Sequence, residues 1–437
     1  MKSGTPPGNI KHMNSVSDIK HKIWIFRRRI LIFLAVFGPA TIAAMADNDA
    51  AGVATYLQAG AKLGYPILFI LIIVTILLAI TQEMGIRLAI ISRKGLGDHI
   101  REKYGLKISI FVFSALLLAN LGTITADVSA IKIISELFNL PSLITIVFLL
   151  VLASLFVVRG NYRINQTLML LSSLFFLTFI FSAVKAKPDW GLALSNLFFP
   201  HGVTFDRTYL ISFLVMGMSI LGTTITPWGQ FFISSFSFDK NIDPQKLKYS
   251  QLETYIGAFL TDFFSFFMIV STAATLFVYG LTITTGEEAA LAIKPFAGQF
   301  ASLIFAFGIL NAGFMGMIII ALTTAYAFSE FFGFSGSLDA AYHRGKMFYR
   351  LFLFQIITAS LIVLLPSVNL FRLALFTQTI NAMMLPAVFY FLLKFTADPK
   401  IMGKEVNSPF KHYFALISIA VILLASFATL LVGIFNL

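Results

Sequence analysis

The chain of 437 residues is 58% hydrophobic and 12% charged, with a mean hydropathy of +0.87, a composition that excludes a soluble enzyme and describes a polytopic membrane protein. Its net charge of +12 does not point to nucleic acid, because the Lys and Arg residues lie in short segments between apolar runs, as the orientation rule for membrane proteins requires. The sequence has no Cys, which excludes disulfides and thiolate metal ligands.

A membrane-spanning helix needs about 20 apolar residues. Such runs fall near 30–60, 64–91, 108–137, 140–158, 163–184, 208–236, 249–280, 300–329, 348–366, 370–394 and 412–435 and predict eleven transmembrane helices. The segments between them, about 92–107, 186–207, 237–248, 281–299, 330–347 and 395–411, each hold no more than a short helix or turn. The chain therefore reads as all-α, with a cytoplasmic tail over 1–29 and a single transmembrane domain over 30–437. Placing the N-terminus in the cytoplasm puts seven basic residues in the tail (Lys2, Lys11, Lys20, Lys22, Arg27, Arg28, Arg29) and seventeen in cytoplasmic loops, against six in outer loops. Arg87 and Lys132 fall within spans or near their ends. This asymmetry predicts a cytoplasmic N-terminus and, with an odd number of spans, an outer Leu437. Ala44-Met45-Ala46 behind Arg27-Arg28-Arg29 imitates a signal-peptide cleavage site, but the apolar pattern resumes beyond Asp49 and the segment reads as a span.

Two of the predicted spans are interrupted. The first contains Met45-Ala46-Asp47-Asn48-Asp49-Ala50-Ala51-Gly52. A carboxylate near the bilayer centre costs about 2.5–3.5 kcal/mol on insertion scales, so it survives where it faces a cavity, a partner or an ion. The sixth contains Leu221-Gly222-Thr223-Thr224-Ile225-Thr226-Pro227-Trp228-Gly229-Gln230, in which Pro227 removes a backbone donor and frees a carbonyl one turn back. Broken spans five apart point to an inverted-repeat transporter with its site at the breaks, helices 1–5 mirrored by helices 6–10. Residue-level similarity between the halves is not evident, so the repeat rests on the breaks and the topology. Two carboxylates at such a site point to a cation as cargo.

Gly38-Pro39, Asp49, Ala54-Thr55 and Gln58-Ala59-Gly60-Ala61 resemble the first helix of the NRAMP family of divalent-metal transporters. Its signature there is Asp-Pro-Gly-Asn within a Gly-Pro and Gln-Ala-Gly-Ala frame. Gln82-Glu83-Met84, Lys94-Gly95-Leu96 and Ile100-Arg101-Glu102-Lys103-Tyr104-Gly105 resemble the family's second helix and the loop after it. The resemblance implies a LeuT-like inverted repeat with broken helices 1 and 6, and a divalent metal ion as substrate. It implies metal ligation by Asp49, by the backbone carbonyls of Ala46 and Thr223, by the residue at Thr226, and by Gln378 of the tenth helix. Asp47 adds a second carboxylate, and Asn48 between them suits either ligation or capping of the break. Trp228 reads as a packing wall.

The sequence departs from the family pattern in one direction. Asp-Pro-Gly-Asn becomes Asp49-Ala50-Ala51-Gly52, and the sixth helix's Met-Pro-His becomes Thr226-Pro227-Trp228. Thioethers favour transition metals, whereas carboxylate, carbonyl, hydroxyl and water suit Mg²⁺, Ca²⁺ and Mn²⁺. A cavity enlarged by Gly52 and Thr226 suits a partly hydrated Mg²⁺, which sheds water reluctantly. The chain therefore resembles most the NRAMP-related magnesium transporters, a branch implied to carry Mg²⁺ and Mn²⁺. No cofactor, nucleic acid or obligate protein partner is expected beyond the ions and the lipid bilayer of a cell membrane.

Membrane proton relays usually use Asp, Glu or His, yet all six histidines (His12, His21, His99, His201, His343, His412) fall in loops or at span ends, so no buried histidine is expected. In the third helix, Ala126-Asp127-Val128 resembles the family's acidic pair region, but the second acid is replaced by Ala130. Asp127 is thus a candidate proton-path residue or a structural acid. Glu83, Arg87, Glu253 and Asp262 also lie in or near the membrane, and Glu83 with Arg87 reads as an i, i+4 ion pair. The expected mechanism is uncoupled alternating access, for which the membrane potential supplies roughly 4.6 kcal/mol per 100 mV to a divalent ion. A proton-coupled Mn²⁺/Fe²⁺ symporter and an amino-acid permease of the same architecture are the rival transport readings. The Tyr-Asp and Gly-x-Gly-Asp pair of intramembrane aspartyl proteases is absent, Gly97-Asp98 lying in a basic loop, so no enzyme is expected.

Overall fold

The computed structural model describes residues 24–25, 27–281, 283, 299–365 and 370–435. Lys2, Lys11, Lys20, Lys22, His12, His21, Leu437 and nearly all of the 281–299 loop lie outside these residues. Every regular element among the described residues is helical. The first span comprises α1 (Arg27–Val36), α2 (Pro39–Ala46) and α3 (Ala50–Leu63), with α1 and α2 meeting at 53°. The second and third are α4 (Phe69–Ser92) and the 42-residue α5 (Leu96–Leu137), which kinks at Gly105, where φ is 75°. The fourth is α6 (Ser142–Arg159), and α7 (Tyr162–Ser172) with α8 (Leu177–Lys185) makes the fifth. A short loop helix, α9 (Trp190–Phe198), precedes the sixth span, α10 (Arg207–Thr224) and α11 (Pro227–Asp239). There follow α12 (Leu247–Thr272), α13 (Gln299–Phe332), α14 (Lys346–Val363), α15 (Leu370–Thr396), the short α16 (Pro399–Met402) and α17 (Pro409–Phe435). Ten of the described helical stretches are long and apolar enough to cross a membrane, and the bent first span makes eleven. The chain is a multi-pass membrane protein.

Burial sorts these spans. In the seventh and eighth, 72% and 78% of the apolar window is buried, against 17% in the fourth and 22% in the eleventh, so the latter two form the lipid-facing rim. The seventh span packs on both halves of the broken first span, and the second packs on both halves of the broken sixth. That reciprocal packing is what two repeats of five helices produce. The third and eighth spans share the most extensive helix interface.

The first span has a second break, at Phe37–Gly38, that its apolar run does not announce. Gly38 adopts φ 139°, which an L side chain rarely takes. Lys240 Nζ donates to the carbonyls of Val36 (2.9 Å) and Phe37 (2.7 Å), and Gln166 Nε2 donates to Phe37 O at 2.8 Å. On the other side, Glu253 Oε1 accepts from the amides of Gly38 (2.7 Å) and Thr41 (3.0 Å). A basic and an acidic side chain thereby complement the C-terminal and N-terminal ends of consecutive helices, as the helix dipole favours.

The predicted Glu83–Arg87 pair is formed at 2.8 Å, and it is the centre of a larger buried network. Lys411 reaches Glu83 at 2.6 Å and Gln251 donates to it at 2.7 Å, while Arg87 donates to Asn407 Oδ1 at 2.6 Å and to the carbonyl of Glu405. These bonds tie the second span to the seventh and to the segment between the tenth and eleventh. Glu83→Ala leaves the Arg87 guanidinium buried without its carboxylate, and the expected cost is about 3–5 kcal/mol. The loss is measured as a lowered unfolding midpoint of the purified protein in detergent, and an unchanged midpoint refutes the assignment.

Candidate metal site at the breaks of the first and sixth spans

The two interruptions read from the sequence are real helix breaks, and they face each other. α2 stops at Ala46 and α3 starts at Ala50; α10 stops at Thr224 and α11 starts at Pro227. Ala46 and Thr223 therefore stand at the C-terminal ends of half-helices, where the last carbonyls have no further turn to bond. The opposite, N-terminal ends are capped by side chains. Asp49 Oδ1 accepts from the Gly52 amide at 2.6 Å, and Thr226 Oγ1 accepts from the Gly229 amide at 2.9 Å. The Ala50 amide donates to Asp127 Oδ1 at 3.0 Å, so the third span's acid also serves the start of α3.

Asp47 links the two breaks. Thr226 Oγ1 donates to its Oδ1 at 3.1 Å, and Thr223 Oγ1 lies 3.5 Å from its carbonyl oxygen. Gln82 Nε2 of the second span stands 3.5 Å from its Oδ2. Asp47 and Asp49 are 1% and 2% exposed, so this conformation shuts both away from solvent. Among the described residues the second carboxylate oxygens of Asp49 and Asp127 have no hydrogen-bond partner. Gly316 of the eighth span stands against both acids: a Cβ there would press on Asp127 Oδ2 and lie 2.7 Å from Asp49 Cβ.

The other candidates sort differently. Asn48 turns to the seventh span, donating to Thr261 O (3.1 Å) and Thr261 Oγ1 (2.9 Å) and accepting from Ser265 Oγ (2.9 Å), so its amide holds the break rather than either aspartate. Gln378 is buried in α15 and accepts from Asn381 Nδ2 at 2.8 Å, while its own Nε2 has no partner. Its backbone carbonyl presses on Gly222 of α10, where no Cβ fits. Trp228 is fully buried, as a packing wall must be.

Two expectations are corrected. The space expected from Gly52 is closed, because the Asp47 carbonyl and Thr223 Oγ1 each sit 2.6 Å from where its Cβ would be. The cavity beside Asp49 is only about 10 Å³, room for about one water. One histidine is also buried: His99 is 6% exposed, with Nε2 2.8 Å from Ser92 Oγ and its ring 5.2 Å from Phe395. It sits at the start of α5 and touches neither aspartate. Sequence reasoning missed Gln82, Tyr56 and Thr224, the last two joined at 2.8 Å. A glutamine within an apolar span was the available signal for Gln82. Among the described residues no three of His, Cys, Asp and Glu gather as a metal cluster, so any ion here would rest on two carboxylates and neutral oxygens.

Gly316→Ala drives a methyl group between Asp49 and Asp127, with an expected cost of about 1–3 kcal/mol from overpacking. Thermal unfolding of the purified variant measures it, and a wild-type midpoint contradicts the tight contact.

A family profile described as "Natural resistance-associated macrophage protein-like", Nramp, matches residues 40–432. The divalent metal cation transporter MntH of Erwinia tasmaniensis is 24% identical over 406 residues, covering 90% of this chain and 93% of that protein. MntH of Latilactobacillus sakei is also 24% identical, covering 87% and 86%. Among solved structures, a mutant of the Eremococcus coleocola manganese transporter superposes with a TM-score of 0.74 at 19% identity, covering 92% of this chain and 88% of that one. MhsT in complex with L-phenylalanine gives a TM-score of 0.58 at 15% identity, covering 89% and 98%. The fold is thus the LeuT-like inverted repeat with broken helices 1 and 6. From the profile that spans nearly its whole length, the chain belongs to the Nramp family.

Proposed function

We propose that this protein is a secondary transporter of the magnesium-carrying branch of its family, admitting Mg²⁺ and also Mn²⁺ through the cell membrane by alternating access without net proton movement. The observation that carries this reading is the polarity of the gap. Two half-helix C-termini, ending at Ala46 and Thr224, meet there with Asp47 and Asp49, and helix C-termini carry partial negative charge that favours a cation. The positive N-terminal ends are already occupied by Asp49, Asp127 and Thr226. An amino-acid carboxylate therefore finds no free helix N-terminus and meets two aspartates, which disfavours the permease reading.

The relatives named as divalent metal and manganese transporters support a divalent ion. The oxygen donors of Asp47, Asp49, Thr223 and Thr226 support the harder members of that class. In this reading Ala46 and Thr223 offer carbonyls, Gln378 approaches when the spans rearrange, and Asn48 holds the break. The transport domain covers 30–437, with the tail over 1–29 and the N-terminus in the cytoplasm, the C-terminus outside, and no obligate partner or cofactor. A proton-coupled Mn²⁺/Fe²⁺ reading draws on two observations. Met45, Met169 and Met315 line the cavity beside Asp49, and Asp127 faces Asp49 across Gly316.

Uptake into proteoliposomes, read with ion-sensitive dyes and an internal pH dye, tests the function. Mg²⁺ enters without acidification, and Asp49→Ala reduces entry to the protein-free leak. Mn²⁺ entry with acidification and no Mg²⁺ flux replaces the uncoupled reading with the symporter. Thr226→Met, which adds a thioether, raises the Mn²⁺-to-Mg²⁺ uptake ratio by about tenfold, equivalent to about 1.4 kcal/mol. An unchanged ratio removes residue 226 as a selectivity determinant.

A further inference from the structure

Asp262, on the seventh span, is a buried carboxyl that neither the site nor the family resemblance uses. It is 5% exposed and lies at a cavity of about 490 Å³ walled by Leu71, Ile76, Trp190, Phe263 and Phe266 among others. Among the described residues no Lys, Arg or His lines that cavity. The titratable groups of the first span near enough to feel a charge on Asp262 are the Asp47 carboxyl and the Tyr56 phenol, and neither is a cation. The second span presents Thr75, and the loop helix α9 presents only Trp190, Leu194, Leu197 and Phe198. A charge in such surroundings is neither paired nor solvated.

Proton arithmetic at Thr75 decides the state of this acid. Thr75 Oγ1 lies 2.6 Å from the carbonyl oxygen of Leu71 and 2.6 Å from Asp262 Oδ2. A hydroxyl has one proton and two lone pairs, and a carbonyl is only an acceptor. Helical threonines elsewhere in the chain, Thr81, Thr123, Thr254 and Thr323, donate to the carbonyl four residues back. If Thr75 does the same, the second short contact needs its proton from Asp262. The other carboxyl oxygen, Oδ1, is buried without a partner, as suits a neutral acid better than a carboxylate with four acceptor sites to fill.

We propose that Asp262 is a proton-binding site: it stands as the neutral acid, donates from Oδ2 to Thr75 Oγ1, and so fastens the seventh span to the second. The ligand is a single proton retained through the transport cycle, which adds no proton flux. The site lies one residue from Thr261, whose carbonyl and hydroxyl hold Asn48 at the break of the first span. It therefore fixes the span that fixes the break, and it fixes it to the span that packs on the sixth.

Infrared difference spectroscopy of the full-length protein, reconstituted in lipid without divalent metal at neutral pH, tests this independently of which ion is carried. Wild type minus Asp262→Asn is expected to show the carbonyl stretch of one protonated carboxylic acid, and Thr75→Val is expected to move that band to higher frequency by removing its acceptor. Asp262→Asn keeps a donor toward Thr75 and is expected to retain ion uptake within twofold of wild type. A difference spectrum showing only carboxylate bands, or a band that Thr75→Val leaves in place, overturns the proposal. Uptake lost in Asp262→Asn overturns it as well, because the charged form is then required. Failure of Mg²⁺ uptake in the wild type bears only on the proposed function and leaves the infrared result standing.

Discussion

The constraint on which this structure depends is that a helix broken inside a membrane exposes backbone amides and carbonyls to surroundings that offer no water. Each break here is answered by side chains. At Phe37–Gly38 they are Lys240, Gln166 and Glu253. At the break after Ala46 they are Asp49 and Asp127, and at the break before Pro227 the cap is Thr226. Lys240, Glu253, Asp49 and Asp127 therefore have a backbone reason to exist. The candidate ion site is the remainder: carboxylate oxygens left over once the caps are made.

That shared use ties fold to transport. Asp49 spends one oxygen on Gly52 and has the other without a partner; Asp47 bridges to Thr226 and faces Gln82. In the proposed site an arriving divalent ion would compete for Asp47 only with a hydroxyl and an amide, and so would exchange the link between the broken spans for its own charge. The chain packs closely over Gly52 and Gly222, and the cavity that Gly316 lines beside Asp49 holds about one water in this closed form. An ion that kept some of its water could then enter only if the halves part, because packed interiors do not expand by degrees.

Much of this was legible in the sequence. Eleven spans, the interruptions at Asp47 to Asp49 and at Pro227, and the Glu83–Arg87 pair are local or periodic signals, which a single sequence carries well. The break at Phe37–Gly38 was not legible, because Gly38-Pro39 sits in an unbroken apolar run and its caps come from residues more than 120 positions away. The role of Asp127 as a cap on α3, the turning of Asn48 toward Thr261 and Ser265, and the closing of the chain over Gly52 are likewise through-space facts. Reading Gly52 as empty room failed for a general reason. Removing a side chain from a packed site gives a neighbour somewhere to go, and here the Asp47 carbonyl and Thr223 take the space.

The sign of the gap follows from chain direction more than from any one residue. Both spans that break do so with their C-terminal ends facing the two aspartates, and both N-terminal ends beyond the break are already capped from within the chain. An anion would have to displace Asp49 or Thr226 from the backbone amides they cap, so each hydrogen bond it made would replace one the chain already has. A cation at the proposed site would displace only the Thr226 hydroxyl proton and the Gln82 amide from Asp47, and Thr226 Oγ1 could keep its bond from the Gly229 amide while its proton turns. Under the proposed function, selectivity for charge would be set by the same hydrogen bonds that let the broken helices exist. The choice among divalent ions is left to the few oxygen and sulfur atoms that line the gap.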